Sequence, residues 1–535
     1  MSRTLFDQLE RAALRFGDAP FLVIGRGDER IGFRGLFEAA ERFGMMLHGL
    51  GVRPGDRVAL WMTNQVAWAV AAYGIARCGA VMVGVNTRLA PREIAHVLTL
   101  TRPVLVCMEE NFLGKTQATD FIAPVRTLMA EAGVAAPRFL VRGMRGQVYP
   151  GTLDWETELA GAADAALPPA ADLVASIDVP GHPELRGAAA ILSTSGTTGK
   201  PKGVVLGHDN LLRLAEQVAK RQMLTPEDRF YSVGPMFHCS GYMHGLLTNL
   251  VSGARYHTTQ AYNVHEAWDV FSTEGITVYH GFVIPLQEMA LLPQFDRSRL
   301  ALDRAWYGSP AAEMARLEHV YGARQCELFG MTETGGNTAI CWPHDPAAMR
   351  HDSDGRPHDG VEVKITHPDT GARQPDGVPG ELCVRGWNVM LGYFGDPAAT
   401  ARTIDDEGFL HTGDMGVQLE DGFIRWMSRL KDMIRVGGEN LSPLEVEEVL
   451  IGHPAILQAQ VVAASHPRLM EIPVAFLMLK PGMTVTDTEL DAYCRGLMAN
   501  FKVPRRFVVV EDFPRTDATM RVQKARLREM AEALA

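Results

Sequence analysis

Short apolar segments and longer segments with helical spacing alternate along most of the chain, and this alternation limits the folds that are available. "RVALWM" precedes "NQVAWAVAAYGIARCG", "AVMVGVN" precedes "APREIAHVLTLT", and "PVLVCM" follows. Strands that are connected through helices pair mostly in parallel and are covered by those helices. The sequence therefore predicts an α/β protein whose large N-terminal domain has several layers.

A second, smaller unit is predicted after the strand-like segment "GFIRWM". In "MIRVGGENLSPLEVEEVLIGHP", the Gly437–Gly438 pair permits a tight turn. Ser442 fits the N-cap of the next helix and Glu445 its third position, which is the pattern of a capping box. Two strands and another helix then complete a compact α+β unit. The predicted domains are residues 1–428 and residues 429–535.

Composition excludes several classes of partner and location. The net charge is −11, and no block of Lys and Arg marks a nucleic-acid interface. Seven cysteines stand singly, so neither a disulfide framework nor a zinc ribbon is indicated, and a reducing cytoplasm is expected. The N-terminal segment predicts an amphipathic helix rather than a signal peptide. The apolar run 66–85 contains Arg77 and several glycines, which favours a buried helix, a turn and a strand over a membrane span.

The glycine-rich stretch "STSGTTGKPKG", residues 193–203, has the composition of a phosphate-binding loop. A Walker loop needs four residues between its glycines, then Lys and Ser or Thr at the start of a helix. Here two residues separate Gly196 from Gly199, Pro201 follows Lys200, and "GVVLG" is β-like. A P-loop kinase is therefore excluded. The hydroxyls and lysines can still wrap an anionic tail, and a turn with nothing bound is the alternative.

Seven sequence blocks occur in an order that matches a known superfamily. They are "STSGTTGKPKG", "PMFHCSGY", "YGSP", "ELFGMTETGG", "GELCVRGWNVMLGYF", "HTGDMG" and "RLKDMIRVGGENLSPLEVE". The chain thus resembles the adenylate-forming superfamily of acyl-CoA synthetases, luciferases and nonribosomal-peptide adenylation domains. The resemblance implies a carboxylic acid–CoA ligase that forms acyl-AMP and pyrophosphate from ATP and an acid, and then acyl-CoA and AMP. ATP, coenzyme A and Mg²⁺ are the implied cofactors.

The same resemblance assigns the nucleotide contacts. Thr332 is the implied partner of the α-phosphate and Glu333 the implied Mg²⁺ ligand, both with catalytic roles. Phe329 is expected to stack on adenine, and Asp414 to accept the ribose hydroxyls. The full set of implied ATP- and AMP-binding residues is Ser195, Gly196, Thr197, Thr198, Gly199, Lys202, Gly308, Ser309, Phe329, Gly330, Asp414 and Arg429.

The acyl pocket is expected around His238, at the position where the superfamily has a gate between the two half-reactions. Peptide-synthetase domains usually have Asp there, so His238 argues against an amino-acid substrate. A metal site at His238, Cys239 and His244 is not favoured, because ligands at a fitting spacing are lacking. The expected pocket residues, which suggest a small to medium acid of polar or aromatic character, are His238, Tyr242, His280, Phe282, Tyr307 and Gly336.

The C-terminal part departs from the superfamily pattern. The superfamily motif resembles "PRTxTGKIQK", whose first lysine contacts the substrate carboxylate and the α-phosphate, whereas this chain has "PRTDATMRVQK". Alignment on "VQK" gives Arg521 for the lysine, alignment on "PRT" gives Met520, and Lys524 is the fallback. Arginine can bind phosphate through two donors, so we expect a working but slower adenylation step with Arg521 as the catalytic residue. The implied hinge is Lys431, and the implied coenzyme A channel is formed by Gly437, Gly438 and Glu439.

Three other functions are compatible with these residues. The acyl group could pass to a carrier protein, the enzyme could carry out a luciferase-like oxygenation, or the chain could be a nucleotide-binding homologue without turnover. The first differs from the main prediction in its acceptor, and the last rests only on the missing lysine. The expected partners are a small carboxylic acid, ATP and coenzyme A, with no nucleic acid, no membrane span and, by resemblance only, a homodimer.

Overall fold

The computed structural model describes residues 3–27, 29–112, 116–144, 149–162, 166–194, 201–436, 439–515 and 522–534 of the 535-residue chain. Two large sheets form the centre of the N-terminal part. The first has seven strands in the order Arg324–Cys326, Arg304–Trp306, Val278–His280, Arg229–Ser232, Arg255–Thr258, Pro20–Ile24 and Glu29–Gly32. The second has eight strands in the order Gly392–Tyr393, Lys202–Gly207, Ala188–Thr194, Val81–Gly84, Arg57–Trp61, Leu105–Glu109, Arg138–Arg142 and Thr152–Asp154.

Both sheets are mostly parallel, with antiparallel pairs only at one edge of each. The helices that connect and cover the strands are Leu5–Phe16, Phe33–Gly49, Val66–Arg77, Pro91–Thr101, Ile122–Glu131, Trp155–Ala160, Ala170–Ala175, His208–Arg221, Thr248–Ser252, Val264–Glu274, Val283–Ala290, Ala311–Tyr321, Ala347–Asp352 and Pro397–Thr403, with a π-helix at Ser240–Leu247. The predicted α/β class is therefore confirmed.

The apolar run that includes Arg77 forms a core helix followed by a strand. Helix Val66–Arg77 is buried along nearly its whole length, and Gly79 makes the turn into strand Val81–Gly84 with a φ of 70°. The buried Arg77 guanidinium binds Glu41 at 2.5 Å and the carbonyl of Pro168 at 2.8 Å. Among the described residues, no helix combines the length and the apolar character that a membrane span requires.

An antiparallel sheet follows the two large ones and carries the residues expected to bind the ribose. Its strands are Val361–Thr366, Gly380–Gly386, Leu410–Gln418 and Ile424–Arg429. Smaller sheets are formed by Leu328–Phe329, Ala339–Ile340 and Arg356–Pro357, and by Asn111–Phe112 and Thr116–Gln117. Short 3₁₀ turns lie at Ala118–Phe121, Pro183–Leu185, Arg297–Arg299, Thr332–Thr334, Glu420–Gly422 and Leu430–Asp432.

The C-terminal unit, residues 434–534, has its own sheet and its own apolar core. Its strands lie in the order Glu439–Leu441, Ile434–Val436, Met470–Leu479 and Ile456–His466, and Arg506–Val509 also pairs with Met470–Leu479. Its helices are Pro443–Ile451, Asp487–Leu497 and Lys524–Leu534. The expected α+β unit is therefore present, and Gly452 is the C-cap residue of helix Pro443–Ile451.

The capping box predicted at this helix is wrong. Ser442 is the N-cap residue, but its side chain accepts no hydrogen bond from the helix. Its hydroxyl instead donates to the carbonyl of Met427 at 3.0 Å, and Glu445 forms an ion pair with Lys502. Tertiary partners thus replace the local ones, since Ser442 faces the strand that precedes the C-terminal unit.

Candidate active site

The predicted phosphate-binding loop lies between two adjacent antiparallel strands. Thr194 ends strand Ala188–Thr194 and pairs with Lys202, which begins strand Lys202–Gly207. The predicted loop residues Ser195, Gly196, Thr197, Thr198 and Gly199 lie outside the described residues. The ammonium group of Lys202 lies 4.4 Å from the centroid of the Tyr393 ring, a cation–π contact. Lys202 therefore begins the strand next to the sheet edge, in contact with Tyr393 of the edge strand.

Glu333 lies beside this lysine contact. It occupies the 3₁₀ turn Thr332–Thr334 with 7% of its surface exposed, and its Oε1 accepts a hydrogen bond from the Tyr393 hydroxyl at 2.9 Å. Burial and the negative charge of Glu333 raise the pKa of Tyr393, so the phenol remains a donor. Tyr393 reaches this position because strand Gly392–Tyr393 pairs with Val204. Lys202, Tyr393 and Glu333 thus form one group from three distant parts of the chain.

The Glu333 turn packs directly against the start of the π-helix Ser240–Leu247. Burial raises the pKa of the Cys239 thiol to about 12, and the nearby negative charge of Glu333 is the second cause. A Cβ on Gly336, whose φ is 107°, would lie 2.7 Å from Cys239 Cβ, so only glycine fits. His238, the predicted gate, precedes this contact, and its Nδ1 accepts from the backbone N–H of Ser240 at 3.3 Å. The predicted catalytic residues of these two segments are therefore neighbours.

Two buried histidines form a wall next to this turn. The rings of His244 and His280 stack with centroids 4.0 Å apart. His280 donates from Nδ1 to the carbonyl of Trp306 at 3.0 Å and accepts the Ser240 hydroxyl at Nε2. Trp306 Nε1 donates to His244 Nδ1, and His244 Nε2 donates to the carbonyl of Gly336, both at 3.3 Å. Burial lowers the pKa of His244 to about 3 and that of His280 well below its ordinary value, so both rings are neutral.

Asp414 lies on strand Leu410–Gln418 and is almost fully buried. Its Oδ1 binds Arg429 Nε at 3.0 Å and the indole N–H of Trp426 at 3.0 Å, both from the neighbouring strand. Glu381 fixes the residues that precede Asp414, since its carboxylate accepts hydrogen bonds from the Gly413 backbone at 3.0 Å and from His411 at 2.8 Å. The Asp414 carboxylate is therefore held in one orientation, as an acceptor for two hydroxyl groups would require.

Two further buried carboxyl groups lie in this region, Asp354 next to Asp414 and Glu327 next to Asp354. Burial raises the pKa of Asp354 to about 7. A hydrogen bond from the Trp426 backbone lowers this pKa in part, and the charge of Asp414 raises it further. Burial and the nearby Asp354 raise the pKa of Glu327 well above its ordinary value. Glu327 also accepts from the backbone N–H of Ser309 at 3.1 Å and thereby fixes the predicted adenine segment. Such displaced pKa values are common in binding sites.

The other residues predicted to bind the nucleotide or to line the acyl pocket lie mostly in core contacts. Phe329 is 5% exposed and packs in a small apolar cluster with residues of the antiparallel sheet. Gly330 lies against the backbone of Gly336 and Asn337. Tyr307 donates to Gln325 at 2.7 Å, Tyr242 packs edge-on against Trp68, and Phe282 precedes helix Val283–Ala290. Gly308 lies in the segment between Tyr307 and Ser309, where a Cβ would lie 3.3 Å from Glu327 Oε1.

The predicted residues of the C-terminal unit are only partly described. Gly437, Gly438 and Arg521 lie outside the described residues, as does the side chain of Glu439. The carbonyl of Lys431 accepts from Arg528 at 3.1 Å, and Asp432 binds the same guanidinium at 2.7 Å. Lys524 binds the buried Glu447 at 2.7 Å. The fallback lysine is therefore engaged inside the C-terminal unit.

Comparison with known proteins decides the family. Residues 9–394 match the AMP-binding enzyme family, and residues 445–519 match the AMP-binding enzyme C-terminal domain. The chain belongs to the AMP-binding enzyme family. It is 33% identical over 530 residues to a 3-[(3aS,4S,7aS)-7a-methyl-1,5-dioxo-octahydro-1H-inden-4-yl]propanoyl:CoA ligase of Rhodococcus jostii (strain RHA1), with 97% of each chain covered.

Solved structures of the AMP-binding enzyme family have the same fold. The ATP-bound MatB of Rhodopseudomonas palustris is 26% identical, with 99% of each chain covered and a TM-score of 0.84, whereas apo MatB gives 0.76. The anthranilate CoA ligase AuaEII in complex with anthranoyl-AMP is 25% identical, covers 99% of this chain and 98% of its own, and gives 0.84. These relatives confirm the predicted enzyme class, an AMP-forming acid–thiol ligase that uses ATP and coenzyme A.

Sequence reasoning missed several residues that the fold brings to the site. Tyr393 lies in the block "GELCVRGWNVMLGYF", so its position in that block was a usable signal. Trp426 and Asp354 lie in no assigned position, and only the pairing of strands Leu410–Gln418 and Ile424–Arg429 places them near Asp414. In an AMP-binding enzyme these residues border the expected nucleotide site.

Proposed function

We propose that this AMP-binding enzyme joins a small to medium, ring-containing or polar carboxylic acid to coenzyme A in two half-reactions. The observation that carries the proposal is the group of Lys202, Tyr393 and Glu333 directly after the phosphate loop. In the first half-reaction the acid carboxylate attacks the α-phosphate of ATP and pyrophosphate leaves. In the second, the coenzyme A thiol attacks the acyl carbon and AMP leaves. Converting a carboxylate oxygen into an AMP leaving group makes the thioester accessible.

In the first half-reaction the protein mainly positions groups and neutralises charge. Lys202 and the loop hydroxyls of residues 195–198 hold the β- and γ-phosphates, and Thr332 binds the α-phosphate. The Tyr393 ring restricts the lysine while its hydroxyl restricts Glu333, so both charges stay in place before ATP arrives. Pre-oriented charges of this kind need little reorganisation in the transition state.

The residues present fit one Mg²⁺ ion. Glu333 offers a carboxylate whose Oε1 is oriented by a phenol, and the ion usually takes one or two protein carboxylates together with phosphate oxygens and water. A bound Mg²⁺ would neutralise charge on the phosphates. Glu333 would hold the ion, and Lys202 would balance the remaining phosphate charge.

The nucleoside part is proposed to bind along the antiparallel sheet. Asp414, oriented by Arg429 and Trp426, accepts the ribose hydroxyls. Phe329 and the Gly308–Ser309 segment border the base, with Ser309 fixed by Glu327.

The second half-reaction is proposed to need the C-terminal unit. Lys431 acts as the hinge, and the thiol channel is lined by Gly437, Gly438 and Glu439.

The C-terminal unit is also proposed to act in the first half-reaction, where Arg521 stabilises the α-phosphate during adenylation. The ion pair of Lys524 with Glu447 favours Arg521 over Lys524 for this role. Replacing Arg521 by Ala should reduce adenylation while thioester formation from supplied acyl-AMP persists. The opposite pattern contradicts the assignment.

The wall of neutral imidazoles favours a polar or ring-containing acid. His244 and His280 use their ring nitrogens within the protein, and their mutually stacked rings make this part of the proposed pocket aromatic and polarisable rather than aliphatic. The Rhodococcus jostii relative acts on a bicyclic dioxo acid, and AuaEII was solved with an aryl-AMP. A panel of ring-containing, polar and long-chain acids, assayed by pyrophosphate release, tests the assignment. Preference for a long unbranched acid would refute it.

The acceptor and the cellular setting complete the proposal. Free coenzyme A as sole acceptor should give the thioester, whereas turnover only with a carrier protein would favour the carrier-loading alternative. A homodimer and a cytoplasmic location remain predictions, which gel filtration of the purified chain and fractionation of cells would test.

A further inference from the structure

Four polar side chains connect the N-terminal part to the C-terminal unit in one continuous row. Arg515 Nη2 donates to Gln458 Oε1 at 2.9 Å, and Gln458 Nε2 donates to Gln287 Oε1 at 3.2 Å. Gln287 Nε2 then donates to Glu313 Oε1 at 2.8 Å. Arg515 and Gln458 belong to the C-terminal unit, while Gln287 and Glu313 lie on the helices Val283–Ala290 and Ala311–Tyr321.

The row has one direction, from a cation to an anion. Each glutamine accepts on the side of Arg515 and donates on the side of Glu313, so every bond strengthens the polarity of the next. The charged ends are largely withdrawn from water, since the side chains of Arg515 and Glu313 are each 13% exposed. Arg316 also binds both oxygens of Glu313 at 2.7 Å, which fixes the acceptor end.

The cation end lies at the base of the segment that contains Arg521. Arg515 forms an antiparallel bridge with Val522, and the side chain of Gln523 donates to the Arg515 carbonyl at 2.6 Å. Residues 516–521 lie between these two anchored positions. Whatever fixes Arg515 against the N-terminal part therefore also fixes the two ends of the segment with the proposed adenylation residue.

We propose that Arg515, Gln458, Gln287 and Glu313 form an interdomain latch that holds the C-terminal unit in its adenylation orientation, with the glutamines as positioning residues. The inference rests on the proposed two-step function. The described arrangement resembles ATP-bound MatB more than apo MatB, which fits an orientation for the first half-reaction. Within the row, only the neutral amide pair Gln458–Gln287 crosses between the two parts, so the latch can open without separating an ion pair.

A distance measurement on the full chain tests the latch without any substrate acid. Cysteines introduced at Leu14 and Leu497, which are 82% and 60% exposed, can be labelled selectively because the native cysteines are buried. Gln458→Leu removes two of the three bonds in the row, the one from Arg515 and the one to Gln287. Gln460→Leu is the matched control, because Gln460 lies on the same face of the same strand and its side chain donates to the carbonyl of Ala459.

Single-molecule energy transfer should show one dominant distance for the parent and for Gln460→Leu. For Gln458→Leu we expect a second population. The ratio of the two orientations should shift about fivefold, as expected for the loss of the one neutral hydrogen bond that crosses between the two parts. Gln287→Leu should give the same shift, and the double variant should add little. If Gln458→Leu does not fold, Gln287→Leu decides. A distribution unchanged from the parent would overturn the proposal.

Separate assays of the half-reactions provide a second readout. Pyrophosphate release by Gln458→Leu should fall about threefold to tenfold relative to thioester formation from supplied acyl-AMP. Equal losses in both halves would indicate a merely structural role and would contradict the latch. If the parent adenylates no acid, the proposed function fails, whereas the distance measurement still decides the latch.

Discussion

Replacing Asp354 by Asn should stabilise the protein, and the gain should grow with pH. The carboxyl is buried, and its pKa is raised from 3.8 to about 7. In the unfolded chain the group ionises near pH 4, whereas in the folded chain it keeps its proton until about pH 7. Between these values the folded state binds more protons, so stability falls as pH rises. Asn carries no charge and can still accept from the Trp426 backbone.

The magnitude follows from the two pKa values. A difference of about 3 corresponds to about 4 kcal/mol at most, reached above pH 7. With an unfolding entropy of about 2 cal/mol/K per residue, 4 kcal/mol corresponds to about 4 °C in the midpoint temperature of a chain of this length. About half of the effect is already present at pH 5.5, so the gap between variant and parent should widen by about 2 °C from pH 5.5 to pH 8.

Thermal unfolding of both proteins at the two pH values is the assay. Asp352→Asn is the control, because that carboxylate lies two residues away, has 47% of its side chain exposed and pairs with Arg425. The difference in midpoint temperature between Asp352→Asn and the parent should be the same at both pH values. The midpoint-temperature difference between Asp354→Asn and the parent should widen between pH 5.5 and pH 8. If it does not, ionisation of the buried Asp354 carboxyl does not destabilise the folded protein as reasoned.

Three further predictions concern the site and the C-terminal unit. Glu333→Gln should lower acid-dependent ATP–pyrophosphate exchange by about tenfold to a hundredfold with an unchanged melting temperature, because it removes the carboxylate proposed to hold Mg²⁺; exchange at the parental rate would contradict this. Trp426→Phe should raise the KM for ATP about fivefold at constant kcat, because one hydrogen bond to Asp414 is lost, and a lower kcat alone would count against it. Lys524→Met should lower the free energy of unfolding by about 2 kcal/mol in denaturant, because the nearly buried Glu447 loses its partner. Adenylation by the folded fraction should persist. Loss of adenylation at unchanged stability would reverse the roles of Lys524 and Arg521.

The order of motifs and the periodicity of the chain were sufficient for the fold class and for many elements. Strand Arg57–Trp61, helix Val66–Arg77 and strand Val81–Gly84 fall where apolar runs and helical spacing predict them. Local chemistry was less reliable at Ser442, whose hydroxyl prefers a tertiary carbonyl to its own helix. The capping box was wrong for that reason.

Contacts between distant segments could not be read from the sequence. Tyr393 meets Glu333 only because a two-residue strand pairs at the edge of the eight-stranded sheet. Gln287 and Gln458 are 171 residues apart, and no local pattern distinguishes them from other surface glutamines. Asp354 is similar, because its raised pKa arises from burial under a neighbouring strand and from Asp414.

Acid-dependent formation of AMP, pyrophosphate and acyl-CoA in equal amounts is the most direct test of the central claim. With ATP, Mg²⁺, free coenzyme A and a panel of carboxylic acids, at least one ring-containing or polar acid should give all three products in a ratio of one to one to one. Omission of coenzyme A should leave acyl-AMP bound and stop turnover. Release of ADP and phosphate, or no acid dependence of pyrophosphate release with any acid, would contradict the account.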